Sequence, residues 1–176
     1  MPKTALLIID AQIGLLDGAY RADEVLGVMA EALRRARQAD APVFFLRHNH
    51  ASFAPLMNGA STWEIHPRVK PRTGEVVVNK TASDGFWNTD LQRLLDEQGV
   101  ARLTVAGLQT EFCVDATCRA AISRGFDVVL IADGHTTGDA VTDAATTIRH
   151  HNYALTHLAH PTRSIIAKRA EELEFV

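Results

Sequence analysis

Short, continuous runs of apolar residues alternate along this chain with longer segments whose apolar residues recur at helical spacing. This alternation is typical of β–α–β units, in which parallel strands lie buried between two layers of helices and carry few polar residues. The pattern predicts an α/β fold, with three layers (α-β-α) built around a six-stranded, mainly parallel sheet.

The bounds of the predicted elements follow from these patterns. Strands are predicted over 4–9, 42–46, 75–79, 102–106, 126–132 and 153–158, and helices over 23–39, 88–99, 111–124, 139–150 and 162–174. The segment 49–74 shows no regular pattern and is longer than an ordinary connection, which favours a functional or partly structured loop.

Composition limits the class of protein and its partners. The 176 residues are 47% apolar and 22% charged, which suits one globular domain spanning 1–176. A net charge of −3 argues against nucleic acid as a partner. No apolar run approaches the roughly 20 residues of a membrane span, and the first run is too short for a signal peptide. Two cysteines, Cys113 and Cys118, are too few for a disulfide framework, so a reduced, cytoplasmic protein is expected.

Three chemically distinctive side chains follow the predicted strands. Asp10 follows the first strand, Lys80 follows the third, and the fourth runs through Gly107 into a turn that leads to Cys113. In open α/β sheets, ligands bind at the carboxyl ends of the strands. A carboxylate, an ammonium and a thiol are therefore expected to project into one crevice.

This combination favours a cysteine nucleophile. A thiol attacks as the thiolate, so the pKa of Cys113 is expected to be lowered by the start of the helix near Thr110 and by the charge of Lys80. Asp10 can take the thiol proton and later deliver it to a leaving group. Cys118 lies inside the predicted helix and is interpreted as a packing residue. No Gly-rich phosphate loop follows the first strand, which argues against a nucleotide-binding domain.

These residues occur in motifs that resemble a known family, the isochorismatase-like cysteine hydrolases, which include nicotinamidases, N-carbamoylsarcosine amidases and streptothricin hydrolases. The resemblance covers most of the chain. Its three main motifs are Ile8-Ile9-Asp10-x-Gln12, Val78-Asn79-Lys80 and Ala106-Gly107-Leu108-x-Thr110-x-x-Cys113-Val114. Further matches are Glu64-Ile65-His66-Pro67, Phe86 with Thr89 and Leu91, Thr117 with Ala120, and Asp133.

The resemblance implies the isochorismatase-like hydrolase fold and a catalytic triad of Asp10, Lys80 and Cys113. It also implies a cis peptide bond between Leu108 and Gln109, with the N–H groups of Gln109 and Cys113 forming an oxyanion hole. The implied reaction is attack of Cys113 on an amide-type carbonyl, loss of an amine or ammonia, and hydrolysis of a thioester. Members commonly form homo-oligomers, so a dimer or tetramer is expected.

Cys113 separates two branches of this family. True isochorismatases cleave a vinyl ether and do not need a thiol, whereas a cysteine at this position favours hydrolysis of a carbon–nitrogen bond. The leading hypothesis is thus a cysteine hydrolase acting on a small amide, ureido compound or lactam. The alternatives are an isochorismatase-type ether hydrolase and a catalytically degenerate binding module.

Metal and substrate contacts are expected from the loops. Nicotinamidases carry an Asp-x-His metal motif after the second strand, where this chain reads Arg47-His48-Asn49-His50 without the aspartate. His48, His50 and His66 are potential zinc ligands, but loop or supporting roles are favoured, and no metal or other cofactor is expected. Aromatic and apolar walls suit a planar or cyclic substrate. The predicted substrate-binding residues are Gln12, Leu16, Trp63, Phe86 and Trp87.

Overall fold

A computed structural model describes residues 3–175 of the chain. Its six strands form one sheet in the order β3-β2-β1-β4-β5-β6, and each neighbouring pair runs parallel. The predicted α/β class with a six-stranded parallel sheet is confirmed. No helix in this described part of the chain is both long enough and apolar enough to span a membrane.

The elements have the following bounds. The strands are β1 (Lys3–Ile9), β2 (Val43–His48), β3 (Val76–Lys80), β4 (Val100–Leu108), β5 (Asp127–Thr136) and β6 (Ile165–Lys168). The α-helices are α1 (Ile13–Leu16), α2 (Ala22–Gln38), α3 (Leu91–Glu97), α4 (Asp115–Ser123) and α5 (Ala144–Thr156). Short 3₁₀ turns occupy Ala54–Leu56, Ser61–Trp63 and Pro67–Val69 in the long loop, and Ala170–Glu172 near the end.

The three layers follow from the alternation of side chains along the central strand. Leu7 and Ile9 of β1 belong to a core shared with α3, α4 and α5, whereas Leu6 and Ile8 belong to a second core shared with α2. Successive side chains of a strand point to opposite faces, so a strand covered on both faces must be apolar throughout. This explains the continuous apolar run that begins the sheet.

The end of the chain differs from the sequence prediction in two places. The segment 153–158, predicted as a strand, lies mostly in α5, because helical spacing continues through Thr147 and Leu155, which are both buried. The segment 162–174, predicted as a helix, instead contains β6, which pairs with β5 from Ile165 onward, followed by a 3₁₀ turn. A strand of four residues at a sheet edge is too short to show a period in the sequence.

Gly107 allows β1 and β4 to approach each other at the end of the sheet that carries Asp10. Its φ is +136°, and a Cβ atom at this position would lie 2.0 Å from the carbonyl oxygen of Ile9. Only glycine fits such a backbone conformation and such a contact. The close approach brings the start of the turn to Cys113 beside the end of β1.

Candidate active site

Asp10 lies directly after β1 with its carboxylate fully buried. Its φ is +48°, in the left-handed region where aspartate is one of the few tolerated residue types other than glycine. The backbone N–H of Asp10 donates to Leu46 O at 3.0 Å, which ties it to the neighbouring strand β2. Neither carboxylate oxygen receives a hydrogen bond of regular geometry from the described residues, so an ion pair is its main stabilisation.

Lys80 is the last residue of β3, and its ammonium lies at the centre of the site. Nζ is 2.7 Å from Asp10 Oδ2, and both side chains are fully buried. The same ammonium donates to Ala82 O at 3.0 Å, to His48 Nδ1 at 2.9 Å and to Cys113 Sγ at 3.2 Å. The structure thus brings together the three residues that were predicted to form the triad.

Cys113 lies on a π-helical turn, Thr110–Val114, that leads into α4. The turn begins after a cis peptide bond between Leu108 and Gln109. The Gln109 carbonyl accepts from the N–H groups of Phe112 and Val114, at 3.1 and 3.2 Å. Gln109 and Cys113 line the same cavity, which opens at the end of β4.

The turn is held from behind by a buried histidine. His135 Nδ1 lies 2.9 Å from Thr110 Oγ1, and its Nε2 lies 2.9 Å from Asn152 Oδ1. Burial is the main reason that the pKa of His135 falls to about 4, so the ring is neutral at pH 7. Thr110 uses its hydroxyl for this contact, and no side chain caps the start of the turn.

The electrostatic state of the thiol also differs from the expectation. Burial, followed by the negative charge of Asp10, raises the pKa of Cys113 to about 12, and the opposing effect of Lys80 is smaller. The expected lowering of this pKa is therefore wrong for the free protein. Cys113 rests as a neutral thiol beside a carboxylate that can accept its proton.

His48 is a member of the site that the sequence suggested only as a potential zinc ligand or a loop residue. It ends β2 in register with Lys80, which places the two side chains next to each other. Burial and the charge of Lys80 lower the pKa of His48, so its ring is neutral. Since an ammonium can only donate, Nδ1 is the acceptor and the ring proton lies on Nε2. The register of two parallel strands that end in His48 and Lys80 is the signal that could have identified it.

Ligand atoms of Asp10, His48 and Cys113 lie within 4.8 Å of one another, a spacing that a metal ion can bridge. Lys80 Nζ lies within 3.2 Å of an atom of each of the three side chains, so a cation of the protein itself stands among them. The other two candidate histidines turn Nδ1 toward local backbone. His50 accepts from Ser52 and Phe53 N–H, and His66 accepts from Arg68 N–H. This arrangement fits the ammonium better than a metal ion.

A cavity of about 560 Å³ opens above the thiol. Its wall is formed by the turn that carries Cys113, the end of β2, the start of the long loop and the loop after β3. The lining residues are Leu15, His48, His50, Ser52, Phe53, Leu56, Ser83, Gln109, Phe112 and Cys113. This volume suits a small-molecule ligand.

The five residues predicted to bind substrate do not line this cavity. Gln12 is buried, and its side-chain amide donates to the carbonyl oxygens of His48 and Trp63 and accepts from His48 N–H. It therefore positions β2 and the long loop. Trp63 is buried beneath the Arg47 guanidinium and donates its indole N–H to Asn49.

The other three predicted contacts lie elsewhere. Leu16 packs in the core on the α2 side, and its neighbour Leu15 faces the cavity in its place. Phe86 is buried and stacks on Phe126, with ring centroids 5.9 Å apart. Trp87 is 56% exposed at the surface. Hydrophobicity alone does not distinguish lining from packing, which explains why the residues of the wall were missed.

The parallel sheet and the buried Asp–Lys–Cys cluster define this chain as an α/β protein with a cysteine-centred candidate active site. The Isochorismatase domain family matches residues 4–168. The chain therefore belongs to the isochorismatase family, as the sequence motifs indicated.

Several relatives support this assignment. A streptothricin hydrolase of Streptomyces noursei is 41% identical over 141 residues, covering 78% of this chain and 56% of that protein. The chain spans about half the length of such streptothricin hydrolases, with 56% and 50% of their lengths matched. Nicotinamidase 3 of Arabidopsis thaliana is 31% identical, covering 76% of this chain and 73% of that protein. The crystal structure of an isochorismatase from Pseudomonas putida KT2440 superposes with a TM-score of 0.89 at 25% identity, covering 98% of this chain and 90% of that one.

Proposed function

We propose that this protein is a cysteine hydrolase that cleaves a carbon–nitrogen bond of a small amide, ureido compound or lactam. The observation that carries the proposal is the placement of one buried ammonium, Lys80 Nζ, 2.7 Å from Asp10 Oδ2 and 3.2 Å from Cys113 Sγ, beside an open cavity. The names of its relatives agree with this chemistry, since they include a streptothricin hydrolase, a nicotinamidase and a ureidoacrylate amidohydrolase.

The first step uses the neutral thiol. As Cys113 Sγ forms a bond to the substrate carbonyl carbon, Asp10 accepts the thiol proton and the carbonyl π electrons move to oxygen. The N–H groups of Gln109 and Cys113 donate to this oxyanion. When the carbon–oxygen double bond re-forms, the carbon–nitrogen bond breaks and the proton on Asp10 passes to the leaving nitrogen, which leaves a thioester on Cys113.

Water completes the cycle. Asp10, again a carboxylate, accepts a proton from a water molecule as the water oxygen attacks the thioester carbon. The tetrahedral species then collapses, and Cys113 leaves as a thiolate. The proton returns from Asp10 to sulfur. Lys80 stabilises the negative charge that alternates between the carboxylate and the sulfur, because its ammonium lies within 3.2 Å of both.

His48 is assigned a positioning role. Its Nδ1 accepts from Lys80 Nζ, and the Ala82 carbonyl accepts a second hydrogen bond from the same ammonium. These two acceptors direct the ammonium between Asp10 and Cys113. Because His48 is neutral, it orients the Lys80 ammonium through a hydrogen bond without neutralising its positive charge.

The test is a comparison of Cys113→Ala with Cys118→Ala. Both replace a buried cysteine, but only Cys113 borders the cavity. Amide turnover is expected to be lost in Cys113→Ala and kept in Cys118→Ala, with ammonia or amine release as the readout. Turnover that survives Cys113→Ala but not Asp10→Asn would indicate the ether-hydrolase alternative. A protein with no turnover and an unreactive Cys113 would indicate a binding module.

The expected dimer or tetramer and the expected cytoplasmic location stay predictions. The mass of the native protein, measured by light scattering after size exclusion, tests the first. A mass of one chain would contradict it.

A further inference from the structure

Among the described residues, those that line the cavity beside Cys113 include no formally charged side chain. Apolar groups form much of its wall, namely Leu15, Phe53, Leu56 and Phe112. The polar groups of the lining are two histidines, two serines, Gln109 and the thiol. Such a wall offers hydrogen bonds and apolar contact but no opposite charge to a bound ion.

The two histidines present donors. His48 Nδ1 accepts from Lys80, and His50 Nδ1 accepts from the N–H groups of Ser52 and Phe53, so each ring carries its proton on Nε2. The rings lie nearly parallel, with centroids 6.2 Å apart and planes 22° from each other. A neutral carbonyl or ring nitrogen of a ligand matches such donors.

The charges nearest the cavity are already paired. Lys80 and Asp10 form a buried ion pair with an N–O distance of 2.7 Å, so their charges largely cancel for a ligand above them. Arg47 stacks on the Trp63 ring at 3.6 Å and donates to Asn79, which turns its guanidinium away.

Two acidic groups on the adjoining segments accept hydrogen bonds from neutral donors, although Glu111 Oε2 is buried without a hydrogen-bond partner among the described residues. Glu111, on the turn beside the thiol, accepts a hydrogen bond from the Thr137 hydroxyl at 2.9 Å. Asp84, on the loop after β3, accepts from Phe86 N–H at 2.8 Å. Neither carboxylate lines the cavity, so a cationic ligand finds no partner there.

We propose that the part of the substrate that enters this cavity is uncharged: a neutral amide or lactam with an apolar or aromatic body and hydrogen-bond acceptors, bearing neither a carboxylate nor an ammonium group. Moving an ion into this wall removes hydration that its neutral hydrogen-bonding groups replace only in part, because no side chain of opposite charge lines it. The inference rests on the proposed function for its reaction, but the selection against charge is a property of the cavity itself.

The first experiment compares three benzamides that share the ring and the scissile amide. They are 4-methylbenzamide, the 4-carboxylate analogue and the 4-aminomethyl analogue. The kcat/KM of the neutral compound is expected to exceed that of either charged compound by at least about tenfold. Equal turnover of the three compounds would overturn the inference and leave the proposed function standing.

The second experiment does not depend on hydrolysis. Alkylation of Cys113 by neutral iodoacetamide, anionic iodoacetate and cationic bromoethylamine is followed by peptide mass spectrometry. In each reaction sulfur displaces a halide ion, and the thiol proton passes to Asp10 or solvent. Each rate is divided by the rate of the same reagent with the urea-unfolded protein, which corrects for differences in intrinsic reactivity among the three reagents. The normalised rate with iodoacetamide is expected to exceed the rate with either charged reagent by at least about tenfold. Equal normalised rates would overturn the inference.

A charge variant tests the wall directly. Phe53 lines the cavity and Tyr153 does not, and both are exposed aromatic residues. Phe53→Arg is expected to raise the relative rate with iodoacetate and lower it with bromoethylamine, whereas Tyr153→Arg, with the same added charge, leaves both ratios unchanged. Selective alkylation without hydrolysis of any amide would refute the proposed function and keep the inference. A shift of equal size in both variants would refute the inference.

Discussion

The buried ion pair of Asp10 and Lys80 makes the sharpest prediction for stability. Both side chains are fully buried with 2.7 Å between Lys80 Nζ and Asp10 Oδ2. At an effective dielectric constant of about 20, two unit charges at this distance attract each other by about 6 kcal/mol, most of which offsets the cost of removing them from water. Removing only one partner leaves the other charge buried and unpaired.

The perturbation is a double-mutant cycle of Asp10→Asn, Lys80→Met and the two combined. Each single variant is expected to lower the free energy of unfolding by about 3–5 kcal/mol. The double variant should lose much less free energy of unfolding than the sum of the two single losses, because it leaves no unpaired buried charge. Urea unfolding at pH 7, with the m-values compared among the variants, gives the four free energies.

A surface pair provides the matched control. Arg93 and Glu97 also have an N–O distance of 2.7 Å, but both side chains are more than half exposed. The same cycle on this pair is expected to show far weaker coupling, since water screens exposed charges. Additive losses at Asp10 and Lys80, or equal coupling for the two pairs, would refute the reasoning from burial.

Three further predictions concern the supports of the site. Gly107→Ala is expected to cost more than about 4 kcal/mol of unfolding free energy or to prevent folding, because the new Cβ meets Ile9 O. Gly125→Ala, at φ +93° with open space around it, should cost only about 1–2 kcal/mol, and equal losses in urea unfolding would contradict the steric argument. The pKa of His135 is lowered from 6.5 to about 4 in the folded state, so its stabilising contribution is complete above pH 6.5. The contribution is lost as the pH falls from 6.5 to about 4, because the unfolded chain takes up the proton first. The stability difference between wild type and His135→Gln should therefore shrink from pH 7 to pH 4, and a constant difference would show that protonation of His135 is not involved. His48→Phe keeps a ring but removes the acceptor for Lys80, and should lower kcat/KM about 10–100-fold, with kcat itself reduced. An unchanged kcat would show that His48 does not position Lys80 for catalysis.

The parallel sheet and the convergence of Asp10, Lys80 and Cys113 could be predicted because both follow from local patterns. A strand buried on both faces must be apolar, so the first polar residue after the run marks the end of the strand. Parallel strands then gather their carboxyl ends at one edge. The position of Asp10 needed nothing further, whereas Lys80 follows another polar residue, Asn79, on an edge strand that is only partly buried.

Properties that depend on burial and on loop conformation could not be predicted. The pKa of Cys113 is set by how deeply the turn is buried, and that depth outweighs the nearby ammonium. Trp63 and Phe86 are as hydrophobic as Phe53 and Phe112, yet the first two pack inward and the last two line the cavity. The end of α5 was missed because Tyr153 and its neighbours favour strands locally, whereas Leu155 packs into the core from a helix.

The central claim is that Cys113 is the nucleophile, and trapping its acyl intermediate tests this most directly. The reaction with a neutral aryl amide is quenched with acid during turnover, the protein is digested, and the peptide masses are measured by mass spectrometry. The acyl mass is expected on the peptide segment that contains Cys113, removed by hydroxylamine and absent from Cys113→Ala, with no label on Cys118. Undiminished turnover by Cys113→Ala, without any acyl adduct in the wild type, would contradict it.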